Sequence, residues 1–226
     1  MNNFKKILVV AAHPDDEVLG CGGTLIKLSK KKCKIFALFF TDGVSARKNK
    51  ISKKAGERKR NALDSLKIMG VRQSKFLSYP DNGLDSVPLI KIVKEIEKII
   101  KKFKPDTIIT HSNVDLNIDH EIVSRAVVTA SRPKPKFCVK NILLFETLSS
   151  TEWNFNLKKK SFNPNYFVDI TQHIDRKIKA AKAYKNEINS WPHPRSVKGI
   201  KNLAKFRGQS VGLNFAEAFY LLRRVS

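Results

Sequence analysis

Six consecutive residues, Ala12-His13-Pro14-Asp15-Asp16-Glu17, set one imidazole and three carboxylates directly after an apolar run of strand length. His13 and Asp16 stand three apart, so a helix opened by Pro14 brings both side chains to one point. Imidazole nitrogen with carboxylate oxygen is a ligand pair of the zinc type. A third ligand from elsewhere leaves one position open for water, as a catalytic site requires. Asp15 then stands beside that water. The competing reading is structural, because acidic residues in a first helical turn complement the helix dipole and a proline there is ordinary. His13 at the carboxyl end of a strand favours chemistry, since open α/β sheets gather ligands at that edge.

A second histidine pair has the same placement. The apolar run Thr107 to Thr110 ends in His111, followed by Asp115-Leu116-Asn117-Ile118-Asp119-His120 and then by Ile122, Val123, Ala126, Val127 and Ala130 at helical spacing. His120, near the start of that helix, can supply the third ligand. Thr41-Asp42-Gly43 also closes a strand, and Asp42 is either a pocket wall or a plain Asp-Gly turn.

Positioning these groups requires parallel strands alternating with helices. Lys6 to Ala12, Lys34 to Phe40, Phe76 to Tyr79, Thr107 to Thr110, Asn141 to Phe145 and Tyr166 to Val168 read as strands. Helices are expected over Val18 to Leu28, Glu57 to Met69, Pro88 to Phe103 and Ile122 to Arg132-Pro133. A further one starts from an N-cap at Thr171, and a short last one covers Phe215 to Phe219. Ser45 to Lys54 and Ser149 to Pro164 read as loops, and the prolines around His193 keep that stretch non-helical. Gly20, Gly22 and Gly23 lie inside a helix, where it approaches the sheet or the metal. They do not form a G-x-G-x-x-G turn, so a dinucleotide site is discounted.

The 226 residues show no linker or composition break and read as one domain, 1–226. A formal net charge of +24 attracts anionic partners and gives non-specific nucleic-acid affinity at low salt. A basic nucleic-acid-binding protein is therefore the alternative of a different class, but no RNP, zinc-finger or helix-turn-helix pattern supports specific nucleic-acid recognition. Runs such as Lys30-Lys31-Lys32 and Lys158-Lys159-Lys160 are explained as solvated faces. Cys21, Cys33 and Cys138 are widely spaced and form neither a disulfide framework nor a cysteine metal site, which fits the cytoplasm. No apolar stretch reaches transmembrane length, though a basic surface can rest peripherally on anionic lipid.

The motif Ala12 to Glu17, with Asp119-His120 and with His193-Pro194-Arg195-Ser196, resembles the LmbE-like, or PIG-L, de-N-acetylases. Thr41-Asp42-Gly43, Arg58 twelve residues before Gly70, Gly208, Gly212 and Ala216 to Phe219 extend the likeness over most of the chain. The resemblance implies a Rossmann-like, mostly parallel sheet flanked by helices. It implies zinc, with another divalent metal such as Fe2+ as alternative, held by His13, Asp16 and His120, and Asp15 as general base. It also implies removal of the N-acetyl group from an amino sugar or its nucleotide-, lipid- or glycoside-linked conjugate, with phosphate on the substrate. The alternative is another small amide or ester at the same metal. Arg58, His193 and Arg195 are the expected substrate contacts, Asp119 orients His120 or a neighbour, and His111 stands behind the site. Many members carry a histidine where this chain has Asn117. An asparagine there offers an N–H to a developing oxyanion but cannot carry charge; otherwise it caps the helix that bears His120.

Overall fold

Alternating apolar runs and amphipathic helices assemble into one seven-stranded sheet between two helical layers in the computed structural model, which describes residues 4–44, 51–134, 137–155 and 161–226. The strands are β1 (Lys6–Ala11), β2 (Lys34–Thr41), β3 (Gln73–Tyr79), β4 (Thr107–His111), β5 (Asn141–Phe145), β6 (Tyr166–Asp169) and β7 (Ala216–Arg224). Their order is β3-β2-β1-β4-β5-β7-β6. The first five are parallel, and β7 is inserted antiparallel between β5 and β6. Order reverses between β1 and β4, so the crevice beyond their carboxyl ends is the switch point where such sheets bind ligands.

The helices are α1 (Asp16–Lys30), α2 (Ile51–Met69), α3 (Leu89–Phe103), α4 (Ile118–Ala130), α5 (Ile174–Lys182) and α6 (Val197–Gln209). Strand alternation divides the core in two. Ile7, Val9, Ala11, Phe39 and Phe145 face the layer of α1, α2, α5 and α6, while Leu8, Val10, Leu38 and Ile108 face α3 and α4. The isoleucine stripe Ile92, Ile96, Ile99 and Ile100 buries as its spacing predicts. No helix among the described residues is long and apolar enough to cross a membrane.

Several expected boundaries move. Pro14 does not open α1: the helix starts at Asp16, and Asp15 before it has φ 123°, which no continuous helix permits. Within the stretch read as loop, Ser45 to Lys54, residues 45–50 lie outside the described set and α2 already begins at Ile51. Lys158 to Lys160 also lie outside it. Thr171 is no helix cap; its N–H is bonded to Asp169 Oδ1 and α5 begins at Ile174 and ends at Lys182. Helix α6 was not foreseen, because Val197 to Gln209 lacks a strong apolar stripe; Ser196 caps it through Gly199 N.

The largest correction is at the carboxyl-terminal end, where the expected helix Phe215 to Phe219 is absent and Ala216 to Phe219 open the strand β7. Ala-Glu-Ala favours helix locally, but β7 completes backbone ladders on both sides and Glu217 is drawn inward. Its carboxylate accepts Gly23 N at 2.8 Å and Thr24 N at 2.7 Å and pairs with Lys177 Nζ at 2.6 Å. These bonds splice a kink in α1 at Cys21, while Lys177 Nζ satisfies Leu19 O at 2.8 Å. The short first segment of α1 is thereby aimed independently of the rest. Gly20 lets it lie on the sheet, since a Cβ there would meet the Phe145 ring at 2.2 Å.

Candidate metal centre

The turn after β1 is tied to both neighbouring strands. Ala12 N donates to His111 Nε2 at the end of β4, 2.9 Å away, and Ala12 O accepts Thr41 N from β2, also at 2.9 Å. His13 N donates to Asp16 Oδ2 at 2.8 Å, so the two expected ligands converge through a tight turn where the sequence reading had a helix face. From the first turn of α4, His120 completes the set. His13 Nδ1 lies 3.2 Å from Asp16 Oδ2 and 3.2 Å from His120 Nε2, and His120 Nε2 lies 3.4 Å from Asp16 Oδ2.

Second partners decide what these atoms can do. His13 Nε2 faces Asp119 Oδ2 at 3.1 Å and Asp81 Oδ1 at 3.2 Å, and His120 Nδ1 faces Asp115 Oδ1 at 3.1 Å. Each ring can therefore spend one N–H outward and turn the other nitrogen inward. In those neutral tautomers three lone pairs meet at one point, which suits a cation, either a metal or, in the metal-free protein, a proton on His13. Ligands about 2.1 Å from a tetrahedral ion stand about 3.4 Å apart, which matches the triangle, and the donor types suit a divalent metal. All three residues are buried.

Charges follow from the same contacts. Burial opposes charge on His13, but hydrogen bonds to Asp119, Asp16 and Asp81 outweigh it and hold its pKa well above the ordinary value. Burial likewise opposes ionisation of Asp16, and His120 and His111 reverse that and hold its carboxyl well below the usual range. His111 goes the other way: burial, then His120, push it down to about 4. With Nε2 accepting the Ala12 N–H and its ring stacked on His120 at 3.9 Å, His111 is a neutral wall behind the site.

Asp15 is held beside this triangle by an unusual amount of structure. Its positive φ costs on the order of 1–3 kcal/mol, and its neighbours offset that cost. Glu17 Oε2 accepts Asp15 N at 3.0 Å, and Arg58 Nε donates to Pro14 O at 2.9 Å. The Asp15 carboxylate sits between Arg58 Nη2 at 3.0 Å and Arg195 Nη1 at 2.9 Å. Glu187 closes the group, paired to Arg58 Nη1 and 3.7 Å from Arg195 Nη1. Burial acts to lower the pKa of Arg58, but Asp15 and Glu187 raise it further, so it stays charged. Behind them Tyr184 OH lies 2.6 Å from Glu17 Oε1, and burial pushes the Glu17 carboxyl up to about 8.

The expected substrate contacts are placed unequally. Arg58 is 5% exposed and turned onto Pro14, Asp15 and Glu187, so its surroundings make it a holder of the Asp15 turn. Arg195 spends Nε on Leu148 O at 3.2 Å and Nη1 on Asp15. His193 Nδ1 accepts Arg195 N at 3.0 Å. Asp119 does not orient His120 but its neighbour His13, because adjacent helical residues point in different directions. Asn117 caps α4 through Oδ1 on Asp119 N at 2.9 Å and gives Nδ2 to Asn82 Oδ1 at 2.8 Å. Asp42 makes the plain turn, accepting Val44 N at 2.9 Å.

Sequence reading missed Asp81, Asp115 and Glu187. Asp81 lies at the carboxyl end of β3 and was open to the same strand-end argument that singled out His13. Asp115 and Glu187 carry no local signal. Asp115 also accepts Asn117 N at 2.9 Å, Thr151 Oγ1 at 2.6 Å and the Ser150 hydroxyl. Burial works to raise its pKa, but the bonds from His120, Ser150 and Thr151 prevail and hold it at about 2.

Residues 8–131 match the family model described as PIG-L, GlcNAc-PI de-N-acetylase. The chain is 32% identical over 191 residues to the uncharacterized deacetylase YaiS of Escherichia coli, covering 82% of this chain and 93% of that one. It is 25% identical to the diacetylchitobiose deacetylase of Thermococcus kodakarensis, over 96% of this chain and 82% of the relative. The N,N'-diacetylchitobiose deacetylase of Pyrococcus horikoshii, at 22% identity, shares the fold with a TM-score of 0.80 over 98% of this chain and 85% of its own.

Proposed function

The chain belongs to the PIG-L de-N-acetylase family, and on that premise we propose that it is a zinc-dependent enzyme removing the acetyl group from an N-acetylated amino sugar or its conjugate. Hydrolysis of the N-acetyl amide bond is the family reaction. The observation that carries the assignment of the site is the triangle of His13 Nδ1, Asp16 Oδ2 and His120 Nε2, with edges of 3.2–3.4 Å, beside Asp15 clamped in a strained turn. A divalent ion held there supplies Lewis-acid polarisation of the acetyl carbonyl and makes water a better acid.

The protein's own groups do the rest. Asp15 takes the proton of the attacking water on a carboxylate oxygen and returns it to the departing amine, which needs one positioned carboxylate and no second titrating residue. Arg58 and Arg195 hold that carboxylate in place. Asp119 and Asp115 fix the rings of His13 and His120 from behind, as outer partners of metal-binding histidines do. Asn117 is read as the cap of α4 in preference to an oxyanion donor, because both ends of its amide are bonded to protein. The +24 charge raises the local concentration of anionic conjugates, phosphorylated ones included, and suits a cytoplasmic enzyme acting on them.

The test is acetate release from free, phosphorylated, nucleotide-linked and glycoside-linked N-acetyl sugars, using protein loaded with zinc or with Fe2+, metal-stripped protein, and Asp15→Asn. Turnover should require metal, and Asp15→Asn should keep the metal yet lose about 10²- to 10⁴-fold in kcat. Full activity of the stripped protein, or of Asp15→Asn, overturns the assignment.

A further inference from the structure

A strongly basic chain can scatter its charge, but here the fold gathers part of it along one edge of the sheet. The parallel strands are entered through cations: Lys5 and Lys6 lead into β1, Lys34 opens β2, Arg72 precedes β3, Lys104 precedes β4 and Lys140 precedes β5. Arg223 and Arg224 arrive at the same edge because β7 runs antiparallel. The registers line these ends up. Lys6 stands beside Lys34, Phe36 beside Gln73, Ile7 beside Thr107, Thr107 beside Asn141, and Asn141 beside Arg224. With neighbouring strands about 4.8 Å apart, the strands from β3 to β7 make a continuous basic row roughly 24 Å long. Among the described residues of these connections the one acid is Asp106. Its carboxylate is spent on Lys5 N, Lys6 N and Thr107 Oγ1, at 2.9, 2.6 and 2.7 Å.

Two hollows open along the row. One, of about 330 Å³, has walls of Ile100, Ala130, Phe137 and Val139 with Lys101 and Arg132 at its rim. The other, of about 540 Å³, lies between Lys5, Lys140 and Arg224 beside the exposed Val225. Arg223 Nη2 bonds Ser131 O at 2.7 Å and joins the two. The metal centre is at the opposite edge. From Lys6 the chain rises along β1 by about 20 Å before the His13 turn, more than twice the screening length of about 8 Å at physiological salt, so the row is available to a partner other than the substrate.

We propose that this edge docks on an anionic lipid bilayer, with the basic row on the headgroups, the apolar hollow against the layer beneath them, and the mouth of the metal centre turned to water. Each lysine or arginine near such a surface contributes about fivefold to partitioning. Firm attachment needs apolar contact besides charge, and the hollow walled by Ile100, Phe137 and Val139 offers it between the cations. A single-stranded nucleic acid is held instead by cations interleaved with exposed stacking rings. The exposed tryptophans, Trp153 and Trp191, belong to the loops that carry Ser150 and Arg195 at the far edge. Lipid is the anchor here and not the substrate, because a headgroup under the row is about 20 Å from His13.

Sedimentation of the full chain with vesicles tests the docking, using phosphatidylcholine alone and phosphatidylcholine with roughly one third phosphatidylserine, at about 0.1 M and about 0.5 M salt. Wild type is compared with the triple variant Lys5→Gln, Lys101→Gln, Lys140→Gln, which thins the row. The control Lys91→Gln, Lys94→Gln, Lys182→Gln removes the same charge elsewhere. All six lysines are exposed, so melting curves should coincide. Wild type should bind the phosphatidylserine vesicles alone and leave them at the higher salt. The row variant should bind about 100-fold more weakly, and the control within about threefold of wild type. Amine-reactive labelling on the vesicles should spare Lys5, Lys101 and Lys140 while modifying Lys91 and Lys94. Equal losses in the two triple variants, equal binding to both vesicle types, or labelling that the vesicles leave unchanged overturns the docking. Tighter binding of wild type to single-stranded RNA or duplex DNA than to phosphatidylserine vesicles at equal phosphate, lost in the row variant, overturns it too and makes the edge a nucleic-acid surface.

Discussion

Replacing Asp115 by asparagine removes one negative charge and almost no volume. Asp115 Oδ1 receives His120 Nδ1 and Asn117 N, and an asparagine oxygen can keep both bonds. Thr151 Oγ1 at 2.6 Å then meets an amide N–H in place of a carboxylate oxygen. In the metal-free protein the carboxyl is held at about 2 against an ordinary 3.8, worth about 2 kcal/mol. Because this pKa is depressed on folding, the contribution is complete above about pH 4 and disappears as pH falls through about 2. Asp115→Asn should therefore melt roughly 4–8 °C below wild type in EDTA at pH 7, and the two should draw together on acidification. Without the carboxylate behind it, His120 is also a poorer ligand, and zinc affinity should fall by about 10- to 100-fold. Competition against a chromophoric chelator measures the second effect and thermal melts the first. Zinc affinity within twofold of wild type, with only the melting point lowered, would refute the claim that Asp115 tunes His120 and leave it as a prop for the Ser150–Trp153 loop.

Three other perturbations probe the surroundings of Asp15 and Asn117. Glu187→Gln weakens the buried pairing of Arg58 and should cost about 2 kcal/mol, a fall in Tm of roughly 4–8 °C, with kcat reduced more than KM; an unchanged melting curve and kcat would disprove the clamp. Glu17→Gln keeps hydrogen-bonding groups toward Asp15 N and Tyr184 while removing a carboxyl raised from 4.5 to about 8. A raised carboxyl gives stability below its unfolded value that is lost as pH rises through the folded one. Metal-free wild type should therefore lose stability between about pH 4.5 and 8, while Glu17→Gln should show a flatter profile, and parallel profiles would count against it. Asn117→Ala should lower stability by about 1 kcal/mol with kcat changed only severalfold, as expected for loss of a cap. A kcat loss of about 10²- to 10³-fold at full stability would return the amide to the oxyanion side.

Local chemistry was readable from the chain wherever the partners are close in sequence or a strand end marks the spot. His13 and Asp16 are three residues apart and meet through one turn, and His111 and His120 follow an apolar run that could only be a buried strand. The positions of β1 to β6 and the α3 stripe needed nothing beyond apolar periodicity, which burial enforces directly. The resemblance to a known family added the role of Asp15. What the chain alone could not reveal are the groups whose partners lie far away. Arg195 reaches Asp15 across 180 residues and Tyr184 reaches Glu17 across 167. Asp115 displaced Asp119 as the partner of His120, because side-chain direction on a helix, and not closeness in sequence, decides which ring a carboxylate meets. Ala216 to Phe219 became a strand against its local preference, since two unsatisfied backbone ladders and the kink of α1 all required it there. Backbone hydrogen bonds between strands and charges buried in pairs draw their free energy from neighbours that only the folded chain supplies, and at those positions tertiary structure decided.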